Sequence, residues 1–150
     1  MRTVIQIVKQ ASCEIDGEII SSIGRGMMLL VAIEESDTQE DIDFLVKKIV
    51  NLRVFYDNND LLNLSVKDVG GEILCVSQFT LYASTKKGNR PSYLRSAKPE
   101  FSKPMYEKFV LSLQTAFGKE IKTGRFGAYM NINLTNDGPT TIIIDSKLRE

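Results

Sequence analysis

The sequence predicts a mixed α/β fold, and three observations lead to that class. Apolar, β-branched runs recur at Thr3–Val8, Met27–Ile33 and Ile73–Val76, in the manner of strands. Two other segments repeat their apolar residues every three to four positions, one ending near Val50 and one running from Pro99 to Phe117. Turn chemistry separates these segments, at Asp16-Gly17, Gly70-Gly71 and Asp137-Gly138-Pro139. The 150 residues suit one domain, 1–150, burying roughly 68–70% of its unfolded surface. No internal repeat, linker or low-complexity segment divides it.

Thr3 to Val8 reads as the first strand. Ala11-Ser12-Cys13-Glu14-Ile15 alternates apolar and polar residues, Asp16-Gly17 supplies the positive φ of a tight hairpin, and Glu18 to Ser21 returns. Met27 to Ile33 is seven apolar residues without a break, a central strand. Ser36-Asp37-Thr38 opens the first helix, with Asp37 as cap and Glu40 three residues on. Ile42, Leu45, Val46, Ile49 and Val50 then form a core-facing stripe, with acids early and Lys47-Lys48 late, as the helix dipole favours. Asp57-Asn58-Asn59-Asp60 is a polar turn, lacking the glycine and distal glutamate of a calcium loop. Leu61 to Val69 fits neither period.

Pro99 to Phe117 is the second helix, burying Met105, Phe109, Val110, Leu113 and Phe117. Ser102 as cap places Pro104 in the first turn, and Gly118 fits the position just past the end. Phe126, Ala128, Met130, Ile132 and Leu134 alternate with Gly127, Tyr129, Asn131, Asn133 and Thr135, a period-2 strand with one buried face. Thr140 to Asp145 completes a final hairpin with it, and Ser146 to Glu150 reads as a frayed tail.

Composition narrows the chemistry. With 43% hydrophobic and 25% charged residues, the chain is an ordinary soluble globular protein. No apolar run approaches the ~20 residues of a membrane span. Met1-Arg2-Thr3-Val4-Ile5 lacks the features of a signal peptide. Cys13 and Cys75 have no metal-ligand spacing, so reduced thiols and a cytoplasmic location are expected. Nineteen basic residues balance nineteen acidic ones, so any nucleic-acid contact must come from a local patch. Histidine is absent, which excludes Ser-His-Asp and Cys-His catalysis and imidazole-built zinc sites. A hydrolase of this composition must take its base from a carboxylate, a lysine or the substrate.

The chemistry-bearing stretch is Gly71 to Ala83. Its apolar run gives way to Ser77, Gln78 and Thr80 around Phe79. Polar groups at the end of a buried strand must find partners or face a ligand, because an unpaired buried group costs about 1–3 kcal/mol. Thr80 is the only hydroxyl of this motif suited to attack, yet a threonine nucleophile needs an adjacent base. Lys86 is the nearest candidate in sequence. Thr80 and Gln78 are therefore read as positioning groups, with backbone N–H groups at the strand end cradling an oxyanion. The following loop holds Lys86, Lys87 and Arg90, either a solvated face or a phosphate-binding patch.

Together with Asn136-Asp137-Gly138-Pro139, the Ser77-Gln78-Phe79-Thr80-Leu81 segment resembles the D-aminoacyl-tRNA deacylase family. Lys86-Lys87-Gly88-Asn89-Arg90-Pro91 and Gly124-Arg125-Phe126-Gly127-Ala128 fit the same pattern in register, so the resemblance runs nearly end to end. It implies a curved, barrel-like sheet with two main helices, an obligate homodimer, no cofactor or metal, and a role in chiral proofreading during translation. The implied reaction hydrolyses the ester of D-aminoacyl-tRNA, and of glycyl-tRNA mischarged on tRNA-Ala. The terminal ribose hydroxyl of the RNA assists the attack.

By the same resemblance, Ser77, Gln78, Phe79 and Thr80 line the pocket for the terminal adenosine and the aminoacyl carbonyl. Gly138-Pro139 is a cis dipeptide entering the partner's pocket, where its carbonyls hold the substrate ammonium and its rigidity excludes L side chains. Two positions depart from the pattern. Thr140 stands where valine is usual, and Ile7 replaces an arginine, which leaves the Gly-Pro loop without that anchor. The rival reading is a non-catalytic nucleic-acid-binding protein linked to DNA replication. A third, a small-ester hydrolase with Thr80 as nucleophile, requires Thr80 to be essential.

Overall fold

The computed structural model describes residues 1–149. In chain order its elements are β1 (Arg2–Ile15), β2 (Glu18–Ile23), β3 (Gly26–Ala32), α1 (Gln39–Asn51), β4 (Phe55–Tyr56) and β5 (Leu62–Leu64). Then follow β6 (Glu72–Ser77), a 3₁₀ turn (Phe79–Tyr82), α2 (Pro99–Phe117), β7 (Lys122–Thr123) and β8 (Asn131–Asp145). No described helix is long and apolar enough to cross a membrane.

β1 organises the sheet. The two runs expected as separate strands are one strand, whose first half pairs with β3 and whose second half pairs with β2. The β1–β2 turn has the expected positive φ at Asp16 (52°) and Gly17 (82°). β6 joins β3 in parallel and β7 joins β6 in parallel, giving a mixed sheet. The sheet curls on itself: Ser21 Oγ donates to the Thr123 carbonyl at 2.8 Å, and the Gly24 N–H donates to Glu72 Oε2 at 2.6 Å. These bonds tie β2 and its exit to β7 and β6 and bend the sheet into a nearly closed curve, with α1 and α2 packed on its outer face.

Both faces of the central strands are covered, which is why their sequences are uninterrupted apolar runs. Met27, Leu29, Val31, Ile73 and Cys75 pack in the cluster that includes the α1 stripe and Met105, Phe109, Leu113 and Phe117 of α2. Met28, Leu74 and Val76 point the other way, with Val8, Ala11 and Ile23, into the hollow of the curve. Met130, Ile132 and Leu134 close that second cluster. Ile7, at the position of the family arginine, is buried in the first cluster.

Several element ends differ from expectation. The cap of α1 is Thr38, not Asp37, and Asp41 supplies the return bond, accepting from the Thr38 N–H at 2.8 Å. Asp37 lies one residue too early and accepts from the Glu34 N–H and the Met1 amine instead. Ser102 does not cap α2, which begins at Pro99 with Lys98 as its cap; Ser102 lies buried inside and donates back to the Lys98 carbonyl at 3.0 Å. Pro104 is thereby one turn further in than expected, where Pro99 already takes the start that suits proline.

The tail is not frayed through Arg149. Ser146 Oγ donates to Asp41 Oδ1 at 2.7 Å, Lys147 pairs with Asp41 Oδ2 at 2.8 Å, and Arg149 pairs with Glu40 at 3.0 Å. Burial opposes charge on Asp41, but the bonds from Lys147, Ser146 and Thr38 outweigh it and hold this carboxyl below the usual carboxylate range. The expectation for Glu150 falls outside the described residues.

The predicted C-terminal hairpin is absent. β8 is one strand, antiparallel to β1 on both sides of the Gly-Pro motif: Asn136 lies opposite Val8 and Thr141 opposite Gln6. Residues 137–140 therefore bulge outward against the single residue Ile7, without reversing the chain. Alternating burial does begin at Phe126, but the ladder starts only at Asn131, because residues 125–128 form a turn closed by the Ala128 N–H on the Arg125 carbonyl.

Candidate active site

β6 delivers its last residues to a groove of about 560 Å³. The ladder to β3 ends where Val31 pairs with Ser77, and the Gln78 N–H still reaches the Val31 carbonyl at 2.7 Å. The chain then leaves the sheet through the 3₁₀ turn, which places Phe79 and Thr80 beyond the strand end. Ser77, Gln78 and Phe79 line the groove, with Val31 to Ile33 beside them. Phe126 to Met130 form the opposite wall, and Tyr93, Ser96 and the start of α2 complete it.

The polar groups are ordered by short bonds. Gln78 Nε2 donates to Thr80 Oγ1 at 2.5 Å, and Ser96 Oγ donates to the Phe79 carbonyl at 2.7 Å. The N–H groups of Phe79 and Thr80, at the start of the turn, have no acceptor among the described residues. The Phe79 ring is 56% exposed at the groove and meets Tyr93 edge-on, 5.1 Å between centroids. Behind the groove, Tyr106 donates its hydroxyl to the Cys75 carbonyl at 2.8 Å.

This geometry limits the chemistry. Burial pushes the Cys75 thiol up to about 12 and raises that of Cys13 as well, so neither is a thiolate nucleophile near neutral pH. Thr80 Oγ1 accepts from Gln78, and no carboxylate or amine side chain among the described residues hydrogen-bonds it. An activated threonine therefore lacks its base. Thr80, expected to line the pocket, is not among the groove-lining residues and reaches the groove only through its bond from Gln78. The groove itself offers the Ser77 hydroxyl, the Gln78 amide, the Phe79 N–H and aromatic edges, a constellation suited to binding and orienting a polar, ring-bearing ligand.

The other expected residues lie apart. Gly138 and Pro139 are joined by a cis peptide bond on the exposed bulge of β8, with Gly138 at φ +124°, and neither lines the groove of its own chain. Lys86, Lys87 and Arg90 are exposed on a loop that is pinned at its base by paired bonds between Ser84 and Ser92. None of the three forms a salt bridge among the described residues. Sequence reasoning missed Ser96, which carries no pattern of its own, and read Ser102 as a helix cap and not as a groove residue. The expected buried face of the Phe126–Ile132 stripe does pack on the core clusters through Phe126, Met130 and Ile132, and the same residues also wall the groove, which the period-2 signal did not make legible.

Residues 4–145 match the family model described as D-Tyr-tRNA(Tyr) deacylase. Over all 150 residues, and the full length of each relative, the chain is 59% identical to the D-aminoacyl-tRNA deacylase of Flavobacterium johnsoniae and 61% identical to that of Bacteroides thetaiotaomicron. A solved structure described as c-Myc DNA Unwinding Element Binding Protein superposes with a TM-score of 0.92 at 43% identity, covering 97% of this chain and 98% of that one. A probable eukaryotic D-amino acid tRNA deacylase shares the fold with a TM-score of 0.82 at 17% identity, covering 95% of this chain and 97% of its own. A curled sheet with two helices packed on it, a strand-end groove lined by Ser77, Gln78 and Phe79, and identity sustained over the full length agree: the chain belongs to the D-Tyr-tRNA(Tyr) deacylase family.

Proposed function

We propose that residues 1–150 act as one domain that hydrolyses the ester between a D-amino acid and the 3′ end of its tRNA, releasing both, in the cytoplasm. The observation that carries this reading is the groove at the end of β6, found in a chain that matches D-aminoacyl-tRNA deacylases over its full length. Phe79 and Tyr93 provide a surface for the terminal adenine, and the free N–H groups of Phe79 and Thr80 face the carbonyl oxygen as it gains charge. Gln78 and Thr80 hold one another in register beside it. With no side-chain base at hand, the adjacent ribose hydroxyl of the substrate assists the attack. Glycyl-tRNA carried by tRNA-Ala passes the same filter, having no side chain to reject.

Purified protein given matched D- and L-aminoacyl-tRNA is expected to cleave the D-ester at least about 100-fold faster. Equal rates on the two would end this reading. The neighbour described as a DNA-unwinding-element binding protein favours a second one, DNA binding without turnover. A balanced charge argues against it, and tight duplex binding at physiological salt with no ester hydrolysis would establish it.

Thr80 belongs to this site as a shaping group, so Thr80→Ala is expected to keep substantial turnover while a bulky replacement loses it. Complete loss in a folded Thr80→Ala protein would point to covalent catalysis by threonine. If Lys86, Lys87 and Arg90 meet phosphates, replacing all three with alanine weakens tRNA binding and reduces the slope of log affinity against log salt by about 2–3. An unchanged slope returns the loop to solvent.

Gly138 and Pro139 contribute to chiral selection only if a second copy inserts them into the groove, since they do not line their own. The protein is therefore expected to sediment at about twice its 16.9 kDa chain mass at micromolar concentration. A lone monomer there removes the cross-subunit filter.

A further inference from the structure

The 3₁₀ turn that carries Phe79 and Thr80 spans only four residues, too few to hold its own shape. Its first carbonyl, on Phe79, is fixed by Ser96 at 2.7 Å. Its other end is fixed by Arg2, at the start of β1. Arg2 Nη1 donates to the Leu81 carbonyl at 2.9 Å, while its Nε and Nη2 reach Asp145 Oδ2 at 2.9 and 2.8 Å. One planar guanidinium thus ties β1, the end of β8 and the turn together, which the point charge of a lysine does not reproduce. The same cation lies 4.9 Å from the Tyr82 ring centroid, and Arg95 lies 4.8 Å from it. Arg95 is in turn paired with Glu34 at 3.3 Å. Tyr82 is 2% exposed, and its hydroxyl has no hydrogen-bond partner among the described residues. The ring, not the hydroxyl, is what its neighbours use.

We infer that Arg2, through the Leu81 carbonyl and the Tyr82 ring, is a positioning residue that holds the 3₁₀ turn, and with it Phe79 and Thr80, in the geometry the groove needs. Arg2 does not line the groove itself. The inference rests on the proposed deacylase reading for its kinetic consequence, but the order of the turn is measurable without it.

The test compares Arg2→Met, Arg2→Lys, Tyr82→Leu and Tyr82→Phe by D-aminoacyl-tRNA turnover and by amide hydrogen exchange at Leu81 and Ala83. Those two amides close the turn on the Gln78 and Thr80 carbonyls. Arg2→Met and Tyr82→Leu are expected to lower kcat about tenfold with a smaller change in KM, since displaced groups cost most in the transition state. Both should speed exchange at Leu81 and Ala83 and leave the amides of α1 and α2 protected. Arg2→Lys should fall between wild type and Arg2→Met, which keeps the test usable if the latter folds poorly. Tyr82→Phe should recover what Tyr82→Leu loses. Unchanged exchange at Leu81 and Ala83 in Arg2→Met overturns the inference. So does equal loosening of α1 and α2, or a Tyr82→Phe protein as impaired as Tyr82→Leu. An inactive wild-type protein refutes the deacylase reading instead, and the exchange data still decide the role of Arg2.

Discussion

Gly138→Ala is expected to cost about 100-fold in kcat/KM on D-aminoacyl-tRNA, with no compensating gain on L-substrates and little change in fold stability. The backbone at Gly138 has φ +124°, a region L side chains rarely adopt. An added Cβ would also lie 2.8 Å from Thr140 Oγ1 and 3.0 Å from the Thr140 nitrogen, inside the bulge itself. Strain of this kind costs on the order of 1–3 kcal/mol and is relieved by moving the loop. The bulge is exposed and stands clear of the two core clusters, so the cost falls on loop position and not on folding. A displacement near 1 Å in a group that positions substrate reduces rate by about 10²-fold. Side-by-side kinetics on D- and L-esters, with a melting curve as control, read the result. Wild-type D-activity in Gly138→Ala would show that selection does not run through this loop.

Gly26→Ala is expected to cost far more stability than a methyl added at Gly138 or Gly24. At Gly26 the added Cβ would stand 1.9 Å from the Glu72 carbonyl oxygen and 2.7 Å from its carbon and nitrogen. These are backbone atoms of the paired strand, which no rotamer change can move away. Gly26 pairs with Glu72 at the start of the β3–β6 ladder, so relief requires that ladder to open at its first rung. A loss of at least about 3 kcal/mol follows, at the upper end for overpacking. In a chain of this size that lowers the melting temperature by roughly 6–12 °C. Gly24→Ala is the matched control two residues away, where the added Cβ meets only the Glu72 Oε2 side-chain atom at 3.4 Å. Equal melting temperatures for the two variants would contradict the close approach of the strands.

Local pattern was enough for much of this protein. The stripe of α1, the seven-residue apolar run of β3 and the Asp16-Gly17 turn each sit where their spacing places them, because period and turn chemistry are written in consecutive residues. The absence of histidine narrowed the chemistry before any contact was known. The Ser77–Leu81 and Asn136–Pro139 motifs pointed to the right family. Long-range decisions were not readable in the same way. Thr38 is a cap and Asp37 is not, because Asp37 is occupied by Met1 and Glu34 from outside the helix. The tail is ordered by Asp41, which lies 105 positions from Ser146 in sequence.

The motif at 136–141 shows the divide most clearly. Asp-Gly-Pro read locally is a reversal, and a hairpin was the natural expectation. β1 is long enough to accept both flanking segments along one edge, so the chain continues and the motif is pushed out as a bulge. The sequence by itself determined which residues seek a core, where tight turns are permitted and which catalytic groups are absent. Only the tertiary structure decided that the Phe126–Ile132 stripe walls a groove, that Arg2 holds the turn of Phe79, and that Gly138 stands outside its own chain's site. The physical reason is that these outcomes depend on which of several competing partners a group meets in three dimensions, and spacing along the chain does not encode that choice.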